Sequence, residues 1–106
     1  MQPLITDLEQ VSQAYTTAHG ITRDDDRYLL KLQEEVGELT KAYLMMTGKA
    51  RKKGKSDEQL RQDFVDETAD VFAHILLLAH HHHIDIFQAV QQKWLSWLRK
   101  KQGDNR

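Results

Sequence analysis

Residues 24–47 read DDDRYLLKLQEEVGELTKAYLMMT, which is the pattern of one long amphipathic helix. Its apolar residues follow each other in steps of three and four and so form a single row: Leu29, Leu32, Val36, Leu39, Tyr43 and Met46. The aspartates at its start can accept hydrogen bonds from free backbone amides and suit the positive end of the helix dipole. Gly48 follows the last turn and favours a helix end. A row of this kind is typical of helices that pack side by side in a bundle.

Two further helices are predicted from their start and stop signals. The first spans about residues 3–19, because Pro3 is a favoured first-turn residue and Gly20 favours a helix end. Ser56, with a glutamine three residues later, forms a capping box. This box predicts the start of a third helix, which continues to about His81.

A fourth helix is predicted after Asp85, because this residue can cap the backbone amide of Gln88, and it ends near Gln102. Between the second and third helices, residues 48–56 read GKARKKGKS and have no apolar periodicity, which predicts a basic loop. The sequence therefore predicts an all-α fold, a four-helix bundle formed as a single domain by residues 1–106.

Composition narrows the class of protein. A length of 106 residues suits one domain, and one proline and five glycines among many good helix formers favour an all-α fold. A formal net charge of −1 argues against nonspecific nucleic-acid binding. The absence of cysteine excludes a disulfide framework and a thiolate zinc site. The longest apolar run, residues 75–79, is far shorter than the roughly 18 residues that span a bilayer, so we expect a cytoplasmic protein without membrane partners.

Two pairs of carboxylates lie on the second and third helices. Glu35 and Glu38 are three residues apart, as are Glu67 and Asp70, so the side chains of each pair point within about 60° of each other. Each pair lies beside an apolar row, and antiparallel packing of the two helices would gather the carboxylates around one volume. Such a cluster needs a cation, and all-oxygen ligation favours Mg²⁺ or Mn²⁺ over zinc or copper. A solvated helix surface is the alternative for either pair taken alone.

Residues 34–39, EEVGEL, and residues 66–71, DETADV, resemble the Glu-Glu-x-x-Glu and Glu-x-x-Asp motifs of MazG-like nucleoside triphosphate pyrophosphohydrolases. The resemblance covers about residues 25–100. It implies an all-α fold of helical protomers that associate, and Mg²⁺-dependent cleavage of a nucleoside triphosphate between its α and β phosphates. The products would be the monophosphate and pyrophosphate, and the role would be the removal of noncanonical nucleotides.

The resemblance also implies roles for individual residues. The Mg²⁺ ligands would be the four carboxylates Glu35, Glu38, Glu67 and Asp70. Glu34 would orient or deprotonate the attacking water, which completes the expected catalytic set. A surface carboxylate beside a lysine is the alternative for Glu34.

Lysines supply the candidate phosphate contacts. Lys53 and Lys55 in the basic loop follow the first carboxylate pair closely enough to reach a bound triphosphate, and Lys93 could reach a phosphate from the fourth helix. Ordinary solvated lysines are the alternative at each position. Trp97 stands four residues after Lys93, where family members often carry asparagine, so base preference does not follow from the resemblance. For Trp94 and Trp97, packing or a subunit interface is favoured over stacking on a base.

The third helix is apolar on nearly every side between Val71 and Ala79. This predicts burial in a bundle or in an interface between subunits, and hence a homodimer or homotetramer. His74 is expected to fill the core in preference to touching the metal site. The histidines of residues 80–83 receive no catalytic role.

Two rival functions stay open. One is a non-catalytic helical module that binds nucleotides or a protein partner. The other is a di-iron carboxylate protein, which fits less well because the fourth helix has no glutamate to offer.

Overall fold

The computed structural model describes residues 2–104, which form helices and connecting turns without any strand. The helices are α1 Gln2–Ala18, α2 Asp25–Met46, α3 Asp57–His81, α4 Ile86–Val90 and α5 Ser96–Asp104, with a π-helical turn, Gln91–Leu95, between the last two. Because α4, the π-helical turn and α5 follow one another directly, we call residues 86–104 the fourth helix. The prediction of an all-α chain with four helices is confirmed. Within the described residues, no helix combines the length and the apolar character needed to cross a membrane.

Local capping sets the starts of the long helices. The Ser56 hydroxyl accepts a hydrogen bond from the Gln59 backbone amide at 3.2 Å, and the Gln59 side chain accepts one from the Ser56 amide at 2.9 Å. The predicted capping box is therefore confirmed. The carboxylates of Asp24 and Asp85 each accept a hydrogen bond from the backbone amide three residues on, at 2.9 and 3.1 Å.

The antiparallel pair of α2 and α3 forms the body of the molecule, and α1 packs against α3. The buried hydrophobic residues are Ile5, Tyr28, Ala42, Met45, Leu60, Leu76, Leu77 and Ala79. At one end of the pair, the His81 ring stacks on Tyr28 with 4.1 Å between ring centroids, and its Nε2 lies 2.5 Å from Oδ1 of Asp25. This contact joins the end of α3 to the start of α2.

The buried row of α2 differs from the row expected from the spacing of its apolar residues. Tyr28, Ala42 and Met45 are buried, and each stands one residue before a member of the predicted row. Leu29 and Val36 of the predicted row are 50% and 40% exposed. α2 packs mainly on α3, so only one of its apolar sides is covered, and the covered side also carries part of the first carboxylate pair.

The fourth helix extends away from the other three. Only its first turn lies near the other helices: Ile86 and Phe87 are half-buried and line a cavity whose walls also include residues of α1 and α3. Farther along, Trp94 and Trp97 are 71% and 61% exposed. The helix has at most marginal contact with α2 and α3, and the radius of gyration, 17.9 Å, exceeds the about 13 Å of a compact domain of this length. A single chain therefore contains four helices without closing them into a bundle.

The apolar part of α3 is covered on some of its sides only. Leu76, Leu77 and Ala79 are buried, whereas Phe72 is 45% exposed. The predicted burial of α3 is therefore found only on the sides that α1 and α2 cover. The rest of its apolar surface is exposed.

Candidate functional site

Three carboxylates from α2 and α3 meet at the middle of the helix pair. One oxygen from each of Glu35, Glu67 and Asp70 lies within 4.8 Å of the other two. Glu67 and Asp70 stand one turn apart on α3, and Glu35 faces them from α2. Glu35 stands seven residues after Tyr28 and seven before Ala42, so it lies on the buried side of α2, which faces α3. We call these three residues the carboxylate cluster.

Glu67 is the most constrained member of the carboxylate cluster. Its Oε2 atom is buried and has no hydrogen-bond partner among the described residues. Burial raises the pKa of its carboxyl group, and the negative charges of Asp70, Glu35 and Glu38 raise that pKa further. An unpaired buried oxygen in an all-oxygen donor set fits a hard divalent cation such as Mg²⁺ or Mn²⁺.

Glu35 is held between a lysine and a histidine. Its side chain is only 13% exposed, and its Oε1 lies 3.3 Å from Nζ of Lys31 and 4.0 Å from Nε2 of His74. Burial opposes the charge of Lys31, but the hydrogen bond to Glu35 and the nearby charges of Glu34 and Glu35 raise the pKa of its ammonium group. Burial lowers the pKa of His74, which favours the neutral ring. His74 is thus half-buried and also borders the carboxylate cluster.

The other two carboxylates of the sequence motif lie outside the cluster. Glu38 is exposed and points into a separate cavity, described below. The Glu34 side chain is 64% exposed and pairs with Lys31 at 3.5 Å. The structure therefore brings together three of the four predicted metal ligands and leaves Glu34 at the edge of the site.

A polar cavity of about 230 Å³ opens beside Glu67, between the helix pair and the basic loop. We call it the loop cavity. Its charged lining residues are Glu38, Lys41, Lys53, Lys55, Asp63 and Glu67. Lys55 donates to Asp63 at 2.6 Å. Lys53 and Lys55, the predicted phosphate contacts, both line this cavity. Lys41 lines it too, although sequence analysis did not select it; it stands three residues after Glu38 on the same side of α2.

A second cavity, of about 410 Å³, opens on the other side of the carboxylate cluster, next to α1. We call it the α1-side cavity. Its walls combine apolar, aromatic and charged side chains, among them Leu8, Val11, Tyr15, Arg27, Lys31, Glu35, Asp70, His74 and Leu77. Sequence analysis did not predict this cavity, because its walls come from α1, α2 and α3 and form only when the three helices pack together.

The remaining candidates lie away from the carboxylate cluster. Lys93 is exposed on the π-helical turn of the fourth helix, which does not pack on the site. Trp94 and Trp97 are exposed on the same helix. Of the four consecutive histidines, His81 makes the structural contact with Asp25 described above.

Comparison with known proteins gives no further guide to this site, since no family model, curated protein or solved structure matches the chain.

Proposed function

We propose that this chain is a Mg²⁺-dependent nucleotide pyrophosphohydrolase similar to the MazG-like enzymes. Its reaction would add water across the α–β anhydride bond of a ribo- or deoxyribonucleoside triphosphate, giving the monophosphate, pyrophosphate and a proton. The observation that carries the proposal is the carboxylate cluster, in which oxygens of Glu35, Glu67 and Asp70 lie within 4.8 Å of one another and a buried Glu67 oxygen lacks a partner.

Glu35, Glu67 and Asp70 would hold the metal ion, with Glu38 close enough to influence the charge of Glu67. A bound divalent ion supplies charge neutralisation at phosphate oxygens and a lower pKa for a coordinated water. Glu34 is the proposed proton acceptor for the attacking water. Lys31 supports this role, because its ammonium group pairs with both Glu34 and Glu35 and so keeps the two carboxylates on one side of the helix.

The two cavities support a nucleotide substrate. The loop cavity offers lysine ammonium groups to phosphates, whereas the α1-side cavity offers apolar and aromatic walls to a nucleoside. The carboxylate cluster borders both, since Glu67 lines the first cavity and Glu35 and Asp70 line the second. Clearing noncanonical nucleotides would be the role of such an enzyme.

A homodimer or homotetramer is part of the proposal. Large apolar side chains remain exposed on every long helix, including Val11 on α1, Leu30 on α2, Phe72 on α3 and Trp94 on the fourth helix. Association of copies of this chain would cover them and complete the helical bundle.

Pyrophosphate release from a panel of nucleoside triphosphates tests the function. We expect release that requires Mg²⁺ and stops on chelation. Glu67→Gln and Asp70→Asn should each lower the rate by about 100-fold or more, since losing even an outer-shell contact to a metal site costs up to about that factor. Asp66→Asn is the matched control, because Asp66 is exposed on α3 and, among residues 2–104, its side chain bonds only to Gln62.

Equal turnover in Glu67→Gln and Asp66→Asn would exclude the carboxylate cluster as the catalytic site. Absence of turnover with every nucleotide would favour the second candidate, a non-catalytic helical module. The exposed rings of Trp94 and Trp97 are the observation that favours that candidate, since aromatic side chains are common in binding surfaces.

A further inference from the structure

We propose that the loop cavity binds the two terminal phosphates of the substrate, and therefore the pyrophosphate product, through Lys41 and Lys53. The inference rests on the proposed function and adds to it the direction in which the substrate lies across the carboxylate cluster. It also assigns a role to Lys41, which no motif in the sequence marks.

Ion pairing within the loop cavity leaves two of its lysines available to an anion, although Glu38 and Glu67 also line the cavity and make the numbers of positive and negative side chains equal. Of its three lysines, Lys55 is already neutralised by Asp63, with 2.6 Å between Nζ and Oδ2. The side chains of Lys41 and Lys53 form no hydrogen bond or ion pair with any residue in the described part of the chain. Two ammonium groups without a partner therefore face the same cavity, one from α2 and one from the basic loop.

The backbone of the loop holds Lys53 in a costly conformation. Its φ angle is +54°, in the left-handed region that residues with a Cβ atom rarely adopt. Glycine is the residue type expected at a positive φ angle, as at the next residue, Gly54, whose φ is +76°. Position 53 carries a lysine instead. Strain of this kind at a cavity wall is typical of residues kept for function.

The sizes of the two cavities give the substrate a direction. The loop cavity, at about 230 Å³, is below the roughly 300 Å³ at which sites for drug-sized molecules begin, so it suits a small anion. The α1-side cavity, at about 410 Å³, has room and apolar walls for a nucleoside. A triphosphate that spans both would place its β and γ phosphates in the loop cavity and its α phosphate at the carboxylate cluster.

Titration calorimetry with magnesium pyrophosphate tests the inference on the full chain. We expect wild-type protein to bind pyrophosphate, and Lys41→Gln and Lys53→Gln each to weaken binding by roughly tenfold or more, as for loss of one charged hydrogen bond. Lys52→Gln is the matched control, since it removes the same charge from the same loop. Lys52 pairs with Asp57 and does not line the cavity, so its replacement should change affinity less than twofold.

No pyrophosphate binding by wild-type protein, or equal weakening by Lys52→Gln and Lys53→Gln, would overturn the inference. Measuring nucleotide hydrolysis by the same variants distinguishes failure of the pyrophosphate site from failure of the proposed function. If the variants hydrolyse nucleotides and pyrophosphate inhibits all of them equally, the subsite is wrong and the enzyme assignment survives. If pyrophosphate binds through Lys41 and Lys53 but no nucleotide is hydrolysed, the anion site survives and the enzyme assignment fails.

Discussion

The Glu67 carboxylate is surrounded by other carboxylates, and one of its oxygens has no hydrogen-bond donor. Its buried oxygen has no hydrogen bond among residues 2–104, and carboxylate oxygens of Glu35 and Asp70 lie within 4.8 Å. Like charges about 5 Å apart repel by roughly 3 kcal/mol at an effective dielectric constant near 20. Without a cation, this residue therefore destabilises the folded chain.

Glu67→Gln should raise the free energy of unfolding in chelator by roughly 1 to 3 kcal/mol, because it removes one of the repelling charges. Urea unfolding measures the change. Millimolar Mg²⁺ should raise the melting temperature of wild-type protein but leave that of Glu67→Gln nearly unchanged. Asp66→Asn serves as the control and should respond to Mg²⁺ as wild type does. A variant that is less stable than wild type in chelator would contradict this account of Glu67.

The substitution Lys53→Gly should weaken pyrophosphate binding without lowering the stability of the fold. Glycine adopts a φ of +54° without strain, so we expect stability equal to wild type or higher, within about 1 kcal/mol, together with weaker pyrophosphate binding. Lys52→Gly should be less stable than wild type, because no left-handed backbone at that position favours glycine. Thermal unfolding and calorimetry on both variants measure the two effects. A large loss of stability in Lys53→Gly would show that its side chain is structural.

At the scale of the helices, one contact ties two elements that are distant in sequence. His81, in the last turn of α3, lies 2.5 Å from Asp25, in the first turn of α2. The hydrogen bond from the imidazole and its charge lower the pKa of Asp25. A carboxyl group with a lowered pKa in the folded state stabilises the fold above its ordinary pKa, and this contribution disappears as pH falls through the lowered value.

Asp25→Asn should therefore be less stable than wild type at pH 7 and 5, and the difference should be smaller at pH 3, which is below the ordinary pKa of an aspartate and nearer to the lowered value in the folded chain. Asp26→Asn is the control, since Asp26 also lies in the first turn of α2 but does not contact His81. Urea unfolding at the three pH values measures both variants. A constant difference between Asp25→Asn and wild type across this range would exclude the contact as a source of stability.

The helix limits were predictable because their signals are local. Ser56 and Asp85 each cap an amide three residues away, so the residues that decide the start of a helix stand together in the sequence. The choice of Tyr28 over Leu29 as the buried residue depends on α3, whose His81 stacks on Tyr28 from more than fifty positions later in the sequence. Spacing alone could not distinguish these two sides of α2, because both carry apolar residues.

Residue spacing also determined only part of the candidate site. Glu67 and Asp70 were predicted to converge from their spacing on one helix, and they do. Glu35 joins them and Glu38 does not, because the rotation of α2 about its axis decides which carboxylate faces α3. The motif therefore contained the three residues that meet in the carboxylate cluster, but which of its carboxylates meet depends on packing between helices.

At the scale of the whole molecule, the chain leaves much apolar surface uncovered. The fourth helix carries two tryptophans that are more than 60% exposed, and the radius of gyration is 17.9 Å. Exposed apolar surface of this extent is typical of an interface. We expect a second copy of the chain to cover it.

Light scattering after size exclusion should give twice or four times the mass of one chain at micromolar concentration. Trp97→Glu should shift the protein toward the mass of one chain, because a charge would then lie in the apolar interface. Lys100→Glu, on the same helix, should keep the wild-type mass. Wild-type protein with the mass of one chain would contradict the proposed assembly.

Anomalous X-ray diffraction from crystals grown with Mn²⁺ locates the ion directly and tests whether the carboxylate cluster is a metal site. We predict a peak in the anomalous difference map among Glu35, Glu67 and Asp70, with carboxylate oxygens about 2.1 to 2.3 Å from it. A map without a peak at millimolar Mn²⁺, or with the three side chains turned apart into solvent, would contradict the account.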